Sequence, residues 1–234
     1  MEIKGSKVFL TGGSLGIGKA TAKMLVDKGA QVVITGRNKE RLESAAAETG
    51  AIPMVYDMAD YEAAQTVLNQ AVEKMGGIDV LINNAGIGNF PTLEDLEIEH
   101  FEKVFSVNVF GLAMLTKAAA VHFRQQNYGN IINIASTAAL KGFARGTVYA
   151  SSKFAVRCMT QCWQAELRKH NVRVILVNPS EVTTAFANPE RKERDTTPKK
   201  LRSEEIAHTI VSTLEMDDRG FIPEVTVWAT NPWE

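Results

Sequence analysis

The sequence predicts an α/β fold: a doubly wound parallel sheet of about seven strands with helices on both faces, in one domain spanning residues 1–234. Short β-branched runs alternate with longer stretches at helical spacing, the pattern of repeated βαβ units. Most of the strand-like runs are apolar throughout, as strands must be when helices cover both faces of their sheet. No Pro- or Gly-rich linker divides the chain, and no repeat of fixed period appears.

The elements follow in order. Strand-like runs are expected at Lys7–Leu10, Gln31–Thr35, Ile52–Tyr56, Val80–Ile82, Asn130–Ala135, Val172–Val177 and Val225–Trp228. Between them lie helix-like stretches at Gly18–Lys28, Lys39–Thr49, Tyr61–Met75, Phe101–Val121, Tyr149–His170 and Ser203–Leu214, each long enough to cross back over a sheet. One segment breaks the composition. Residues 188–205 carry six basic and five acidic residues together with Pro189 and Pro198. They read either as a solvated loop or as a mobile lid on the substrate side. Their place after a strand end favours the lid.

Hydrophobic residues make up 45% and charged residues 23%, with net charge −1. A chain of this length buries roughly 70 to 75% of its unfolded surface, so it needs no disulfide or structural metal. Cys158 and Cys162 sit four apart on one helix face, cannot bridge there, and read as core or interface packing. That usage suits a reducing compartment. The near-zero charge argues against a nucleic-acid partner. No long apolar run opens the chain, and no window of eighteen uncharged apolar residues appears later, so a cytoplasmic protein without a membrane partner is expected. His100, His122, His170 and His208 are scattered, and no metal site is expected.

The first strand runs into Thr11-Gly12-Gly13-Ser14-Leu15-Gly16-Ile17-Gly18 and then a helix. Such a turn lets phosphate approach the backbone, while the helix supplies unpaired N–H groups and the positive end of its dipole. The spacing is G-x3-G-x-G, not the G-x-G-x-x-G of many dinucleotide sites, and glycine-rich turns also serve as plain connectors. Further polar residues fall at strand ends, where ligands sit in open α/β sheets: Asp57, Asn83-Asn84-Ala85-Gly86, Ser136 and Asn178-Pro179. Tyr149 and Lys153 form a Y-x-x-x-K pair on one helix face. A cation beside the phenol favours the phenolate and makes the group usable as acid or base.

Together these motifs resemble the short-chain dehydrogenase/reductase family, in its type of about 250 residues. The resemblance rests on Thr11-Gly12-x3-Gly16-x-Gly18, Asn83-Asn84-Ala85-Gly86, Ser136 thirteen residues before Tyr149, and Tyr149-x3-Lys153, with Asn108 at the position of a fourth catalytic residue. It implies a Rossmann-like sheet and reversible hydride exchange between a nicotinamide cofactor and a carbonyl. Tyr149 would give the proton to the carbonyl oxygen. Lys153 would bind the nicotinamide ribose and lower the tyrosine pKa, Ser136 would orient the carbonyl, and Asn108 would hold a water linking Lys153 to solvent. Gly12, Ser14, Leu15, Gly16 and Ile17 would line the cofactor's phosphates. Asp57 and Met58 would meet the adenine, Asn84, Ala85 and Gly86 its ribose side, and Val182 and Thr184 the carboxamide. A homotetramer, or a homodimer, is expected from the resemblance and from the apolar content of Phe101–Val121 and Tyr149–Trp163.

The chain departs from the family at Pro179-Ser180-Glu181, where Pro-Gly is usual, and Glu181 is expected to point outward. The end of the second strand, Thr35-Gly36-Arg37, lacks the carboxylate of NAD-preferring members and offers Arg37 to a 2′-phosphate. NADP (as NADPH) is therefore expected and NAD disfavoured, unless Arg37 caps the turn or pairs with Glu40 or Asp57. The expected reaction is NADPH-dependent reduction of a ketone or other small-molecule carbonyl to an alcohol. Leu140, Phe143 and Phe186 suggest an apolar one. Two rivals stand beside it. A 3-oxoacyl-thioester (acyl carrier protein) reductase would use Arg124, Arg145 or Arg157 at the pocket mouth, and a non-catalytic nucleotide sensor would not need Tyr149.

Overall fold

The computed structural model describes residues 1–186, 188, 190–195, 197 and 199–231. The strands are β1 (Lys7–Leu10), β2 (Gln31–Gly36), β3 (Ile52–Val55), β4 (Val80–Asn83), β5 (Gly129–Ile134), β6 (Val172–Pro179) and β7 (Glu224–Val227). Among the described residues they form one all-parallel sheet in the order β3-β2-β1-β4-β5-β6-β7. The order reverses between β1 and β4, which opens a crevice at the carboxyl ends of these two strands.

The apolar strands still alternate, between two cores. Val8 and Leu10 join one cluster and Phe9 the other; Val32 and Ile34 oppose Val33, and Val80 and Ile82 oppose Leu81. Helices α1 (Gly16–Asp27), α2 (Lys39–Thr49) and α7 (Ser203–Glu215) cover the first core through Ala22, Leu25, Leu42, Ala45, Ile206 and Ile210. Helices α3 (Ala64–Met75), α5 (Leu112–Gln126) and α6 (Thr147–Leu167) cover the second through Leu68, Leu115, Phe123 and Val156. The exceptions are the edges. β3 exposes Val55 and carries Pro53, and β7 is half-buried throughout, as edge strands allow.

The helix expected over 101–121 runs from Ile98 to Gln126 and is long and apolar enough to cross a membrane, although in this fold its Leu112, Leu115 and Phe123 pack on the sheet. It starts early because Glu97 and His100 cap it reciprocally. Between α4 (Ile98–Phe105) and α5 it widens into a π turn at Ser106–Gly111. Gly111 sits there because a Cβ would lie 2.0 Å from the Met58 oxygen.

At the amino ends of the strands lies a polar clasp. Arg173, 5% exposed, donates from Nε to Asn130 at 2.6 Å and from its two terminal nitrogens to the Met216 and Leu214 oxygens at 3.1 Å each. The N-terminal ammonium donates to the same two carbonyls. Asp79 accepts the Lys7 N–H at 2.8 Å.

Candidate active site

The turn after β1 is tied to the loop after β4. The buried Thr11 hydroxyl accepts the N–H groups of Asn84 and Ala85, both at 3.0 Å, while Asn84 Nδ2 donates to the Thr11 and Gly12 oxygens at 2.9 and 3.0 Å. Asn84 is thus a brace across the crevice. Gly18 completes the turn, since a Cβ there would meet the Gly12 oxygen at 2.2 Å. The N-terminus of α1 then faces the cleft, and its Gly16 N–H donates to the Glu193 carboxylate at 3.0 Å. An acidic oxygen sits where the helix dipole favours an anion.

The cleft is about 1150 Å³, room for a dinucleotide and a small substrate together. All the cofactor residues expected from sequence line it: Gly12, Ser14, Leu15, Gly16, Ile17, Arg37, Asp57, Met58, Asn84, Ala85, Gly86, Tyr149, Lys153, Val182 and Thr184. Ser136 lines it as well. Asn108 does not; it lies buried behind, in the π turn. The Asn108 amide exchanges two 2.9 Å hydrogen bonds with the Ile87 main chain and donates to Ser152 Oγ at 3.0 Å, and Ser152 in turn donates to the Tyr149 oxygen. Asn108 therefore fixes both the loop after β4 and the helix that carries Tyr149.

Tyr149 and Lys153 share the inner face of α6, and Ser136 lies near enough to the Tyr149 hydroxyl to draw its pKa down. Lys153 Nζ lies 5.8 Å from the phenol centroid and donates to the Ile134 oxygen at 2.9 Å. Here the expectation of a lowered tyrosine pKa is corrected. Burial pushes Tyr149 up to about 12, with only Ser136 pulling it back, and burial pushes Lys153 down to about 8. Desolvation of the charged form is the leading cause of each shift. Tyr149 is a neutral phenol near pH 7, the form that can donate a proton.

The substrate end is aromatic. Phe90 and Phe186 flank Tyr149 with ring centroids 5.4 Å away on each side, and Phe143 packs on Phe90 at 6.3 Å. Phe143 and Phe186 are where the sequence suggested. Leu140 is not; it follows the short turn after Ser136 and faces solvent, away from the cleft. Phe90 and Trp228 line the cleft without having been singled out.

The loop after β6 closes on itself through the Val182–Leu201 bridge. Glu181 is not free at the surface: Arg194 and Lys200 donate to it at 3.0 and 2.7 Å, and these hydrogen bonds hold its carboxyl below the usual range. Of the segment 188–205, residues 189, 196 and 198 lie outside the described residues. Arg37 stands 3.8 Å from Asp57 with both side chains about half exposed, a weak pair. Arg157 pairs with Glu224 at 3.1 Å and Arg145 donates to the Phe90 oxygen at 2.9 Å, so neither is free at the pocket mouth. Cys158 and Cys162 are exposed on the outer face of α6, because Ser152, Val156 and Thr160 take the inner one; core packing is thereby excluded. Arg41, Arg191, Glu193 and Arg194 also line or touch the cleft; Arg191, Glu193 and Arg194 fall within the segment 188–205, and Arg41 lies four residues beyond Arg37.

A Rossmann-type sheet with a phosphate-ready turn and a Ser-Tyr-Lys set at its carboxyl edge defines a nicotinamide-dependent oxidoreductase fold. The sequence model described as short chain dehydrogenase matches residues 6–195, and the chain belongs to that family. An uncharacterised oxidoreductase of Staphylococcus aureus is 32% identical over 224 residues, covering 93% of this chain and 94% of the relative. A 3-oxoacyl-[acyl-carrier-protein] reductase of Thermotoga maritima is 32% identical over 235 residues, covering 95% of each. Among solved structures, an alcohol dehydrogenase of Thermococcus sibiricus complexed with 5-hydroxy-NADP superposes with TM-score 0.88 at 27% identity, covering 96% of this chain and 97% of that one. A short chain dehydrogenase of Burkholderia cenocepacia in complex with NADP gives 0.86 at 28% identity, with 99% and 98% covered.

Proposed function

We propose that this protein catalyses the reversible, NADPH-dependent reduction of an apolar ketone or related carbonyl to an alcohol. The observation that carries the reading is the neutral, buried Tyr149 hydroxyl beside Ser136, with Phe90 and Phe186 on either side of the ring, at the foot of a dinucleotide-sized cleft. The residues present fit the cofactor: an acidic oxygen already rests on the Gly16 amide, Arg37 stands at the end of β2 and no acid replaces it there. When bound, the nicotinamide supplies the hydride. Ser136 donates to the substrate oxygen and orients it, and Tyr149 delivers its hydroxyl proton to that oxygen as negative charge develops. Lys153 would hold the ribose hydroxyls and, poised near neutrality, would recharge Tyr149, with Asn108 behind the cleft to hold a relay water. Oxidation runs the same proton in reverse. The named NADP complexes among similar structures support the cofactor choice.

A 3-oxoacyl thioester is the second substrate reading, favoured by the Thermotoga maritima relative. We further propose a cytoplasmic homotetramer, or a homodimer, with the loop after β6 on the substrate side of the cleft. Phe110, Met114 and Val121 on one face of the central helix, with Phe154 on α6, are exposed and apolar enough to bury against a second copy.

The test is a panel of ketones and ketoacyl thioesters with NADPH and NADH, run on the wild type and Tyr149→Phe. Faster turnover of simple ketones with NADPH is expected, with Tyr149→Phe slower by about 10²- to 10⁴-fold. Binding of both cofactors without turnover of any carbonyl would favour a nucleotide sensor, and Tyr149→Phe within threefold of wild type would remove the tyrosine from the chemistry.

A further inference from the structure

The adenosine end of the cleft carries more positive charge than Arg37 alone. Arg37 follows β2, Arg41 lies one turn into α2, and Arg191 arrives from the loop after β6; all three line the same cleft. Arg37 has only the loose contact with Asp57, and among the described residues neither Arg41 nor Arg191 has an ion-pair partner. Burial, then the charges of Arg37 and Arg41, pull the Arg191 pKa down, so the three guanidiniums feel one another. Like charges gathered this way are costly unless an anion stands among them.

Arg191 is presented by a built turn. Its N–H donates to the Asn188 oxygen at 3.0 Å, Asn188 Oδ1 accepts from Glu190 N–H at 2.9 Å, and Asn188 Nδ2 donates to the Lys192 oxygen at 3.0 Å. Arg191 itself adopts a left-handed φ of 55°. The far side of the turn is anchored by Arg194, which donates to the Val182 and Thr184 oxygens at 2.8 and 3.3 Å. The backbone is therefore held on both sides of Arg191, which shares the lining of the cleft with Arg37 and Arg41.

We propose that Arg191, carried by the loop that borders the substrate, is a cofactor-specificity residue: with Arg37 and Arg41 it holds the 2′-phosphate of NADP. A phosphate monoester brings nearly two negative charges and three acceptor oxygens, enough to engage three guanidiniums at once. The phosphate that separates NADP from NAD then also fixes the loop beside the substrate. This rests on the NADPH reading above.

The experiment compares wild type, Arg191→Gln and Arg37→Ala by the Kd of NADPH and of NADH, with trypsin digestion of the loop in saturating amounts of each. Arg191→Gln is expected to weaken NADPH by about 10-fold or more, as for Arg37→Ala, and to leave NADH within twofold. NADPH should protect the 191–202 segment of the wild type from trypsin better than NADH does, and Arg191→Gln should erase that difference. Equal losses for both cofactors, or no loss, in Arg191→Gln while the wild type prefers NADPH would overturn this inference alone. A wild type that prefers NADH would overturn it together with the NADPH reading.

Discussion

Lys153 is 5% exposed, and its ammonium has the Ile134 oxygen as its hydrogen-bond acceptor. Its pKa of about 8 lies below the ordinary 10.5, so the fold prefers the neutral amine. The folded state then binds fewer protons than the unfolded one between pH 8 and 10.5. Stability rises with pH across that window, and below pH 8 the whole penalty is present. A shift of this size corresponds to roughly 3 kcal/mol, offset in part by the hydrogen bond to Ile134, worth about 1 to 2 kcal/mol. Lys153→Met should abolish turnover yet raise Tm at pH 7 by about 2 to 8 °C, the difference shrinking toward pH 10. Calorimetry without cofactor checks this, and an unchanged or lower Tm at pH 7 would show that the buried charge costs nothing. Lys153 and Tyr149 were legible as a pair from their spacing of four. Their protonation was not, because spacing says which groups are near and nothing of how much water has been removed around them. Arg41 and Arg191 escaped for another reason: they meet only after β2 and the loop following β6 are brought to one edge.

The elements were read best where periodicity is strong. α2 begins and ends where Asn38 and Gly50 cap it, and the fully buried β4, β5 and β6 fall within a residue or two of expectation. The π turn at Ser106–Gly111 was invisible, since Ser-Val-Asn-Val-Phe-Gly has the apolar spacing of an ordinary helix. The extra residue it inserts aims Asn108 inward at Ile87 and Ser152 and lets Gly111 lie against Met58. Gly111→Ala forces a carbon into the Met58 carbonyl. The helix must move, and Asn108 with it. A loss of about 2 kcal/mol or more in urea unfolding is expected, accompanied by a fall in kcat that no residue in the cleft was changed to cause. Unchanged stability and turnover would mean that the π turn yields freely.

For the whole molecule, doubly wound topology followed from the alternation of buried strands and crossover helices. The exposure of Phe110, Met114, Val121 and Phe154 did not, because a helix with more than one apolar face can be buried by its own sheet or by another chain. Light scattering of the purified protein at micromolar concentration should give about four times 25.6 kDa; a stable monomer would count against assembly through these helices. The sheet is also chemically polar from end to end. The residues expected to bind cofactor line the cleft at the carboxyl ends of the strands, and the Arg173 clasp that gathers the chain's beginning, β5, β6 and the end of α7 stands at the other. Distant sites of this kind contribute nearly additively. Loops at the carboxyl edge can therefore diverge in length and side chain, trading one carbonyl for another, while the opposite edge keeps the domain folded: substrate range is free to wander over a foundation that does not feel it.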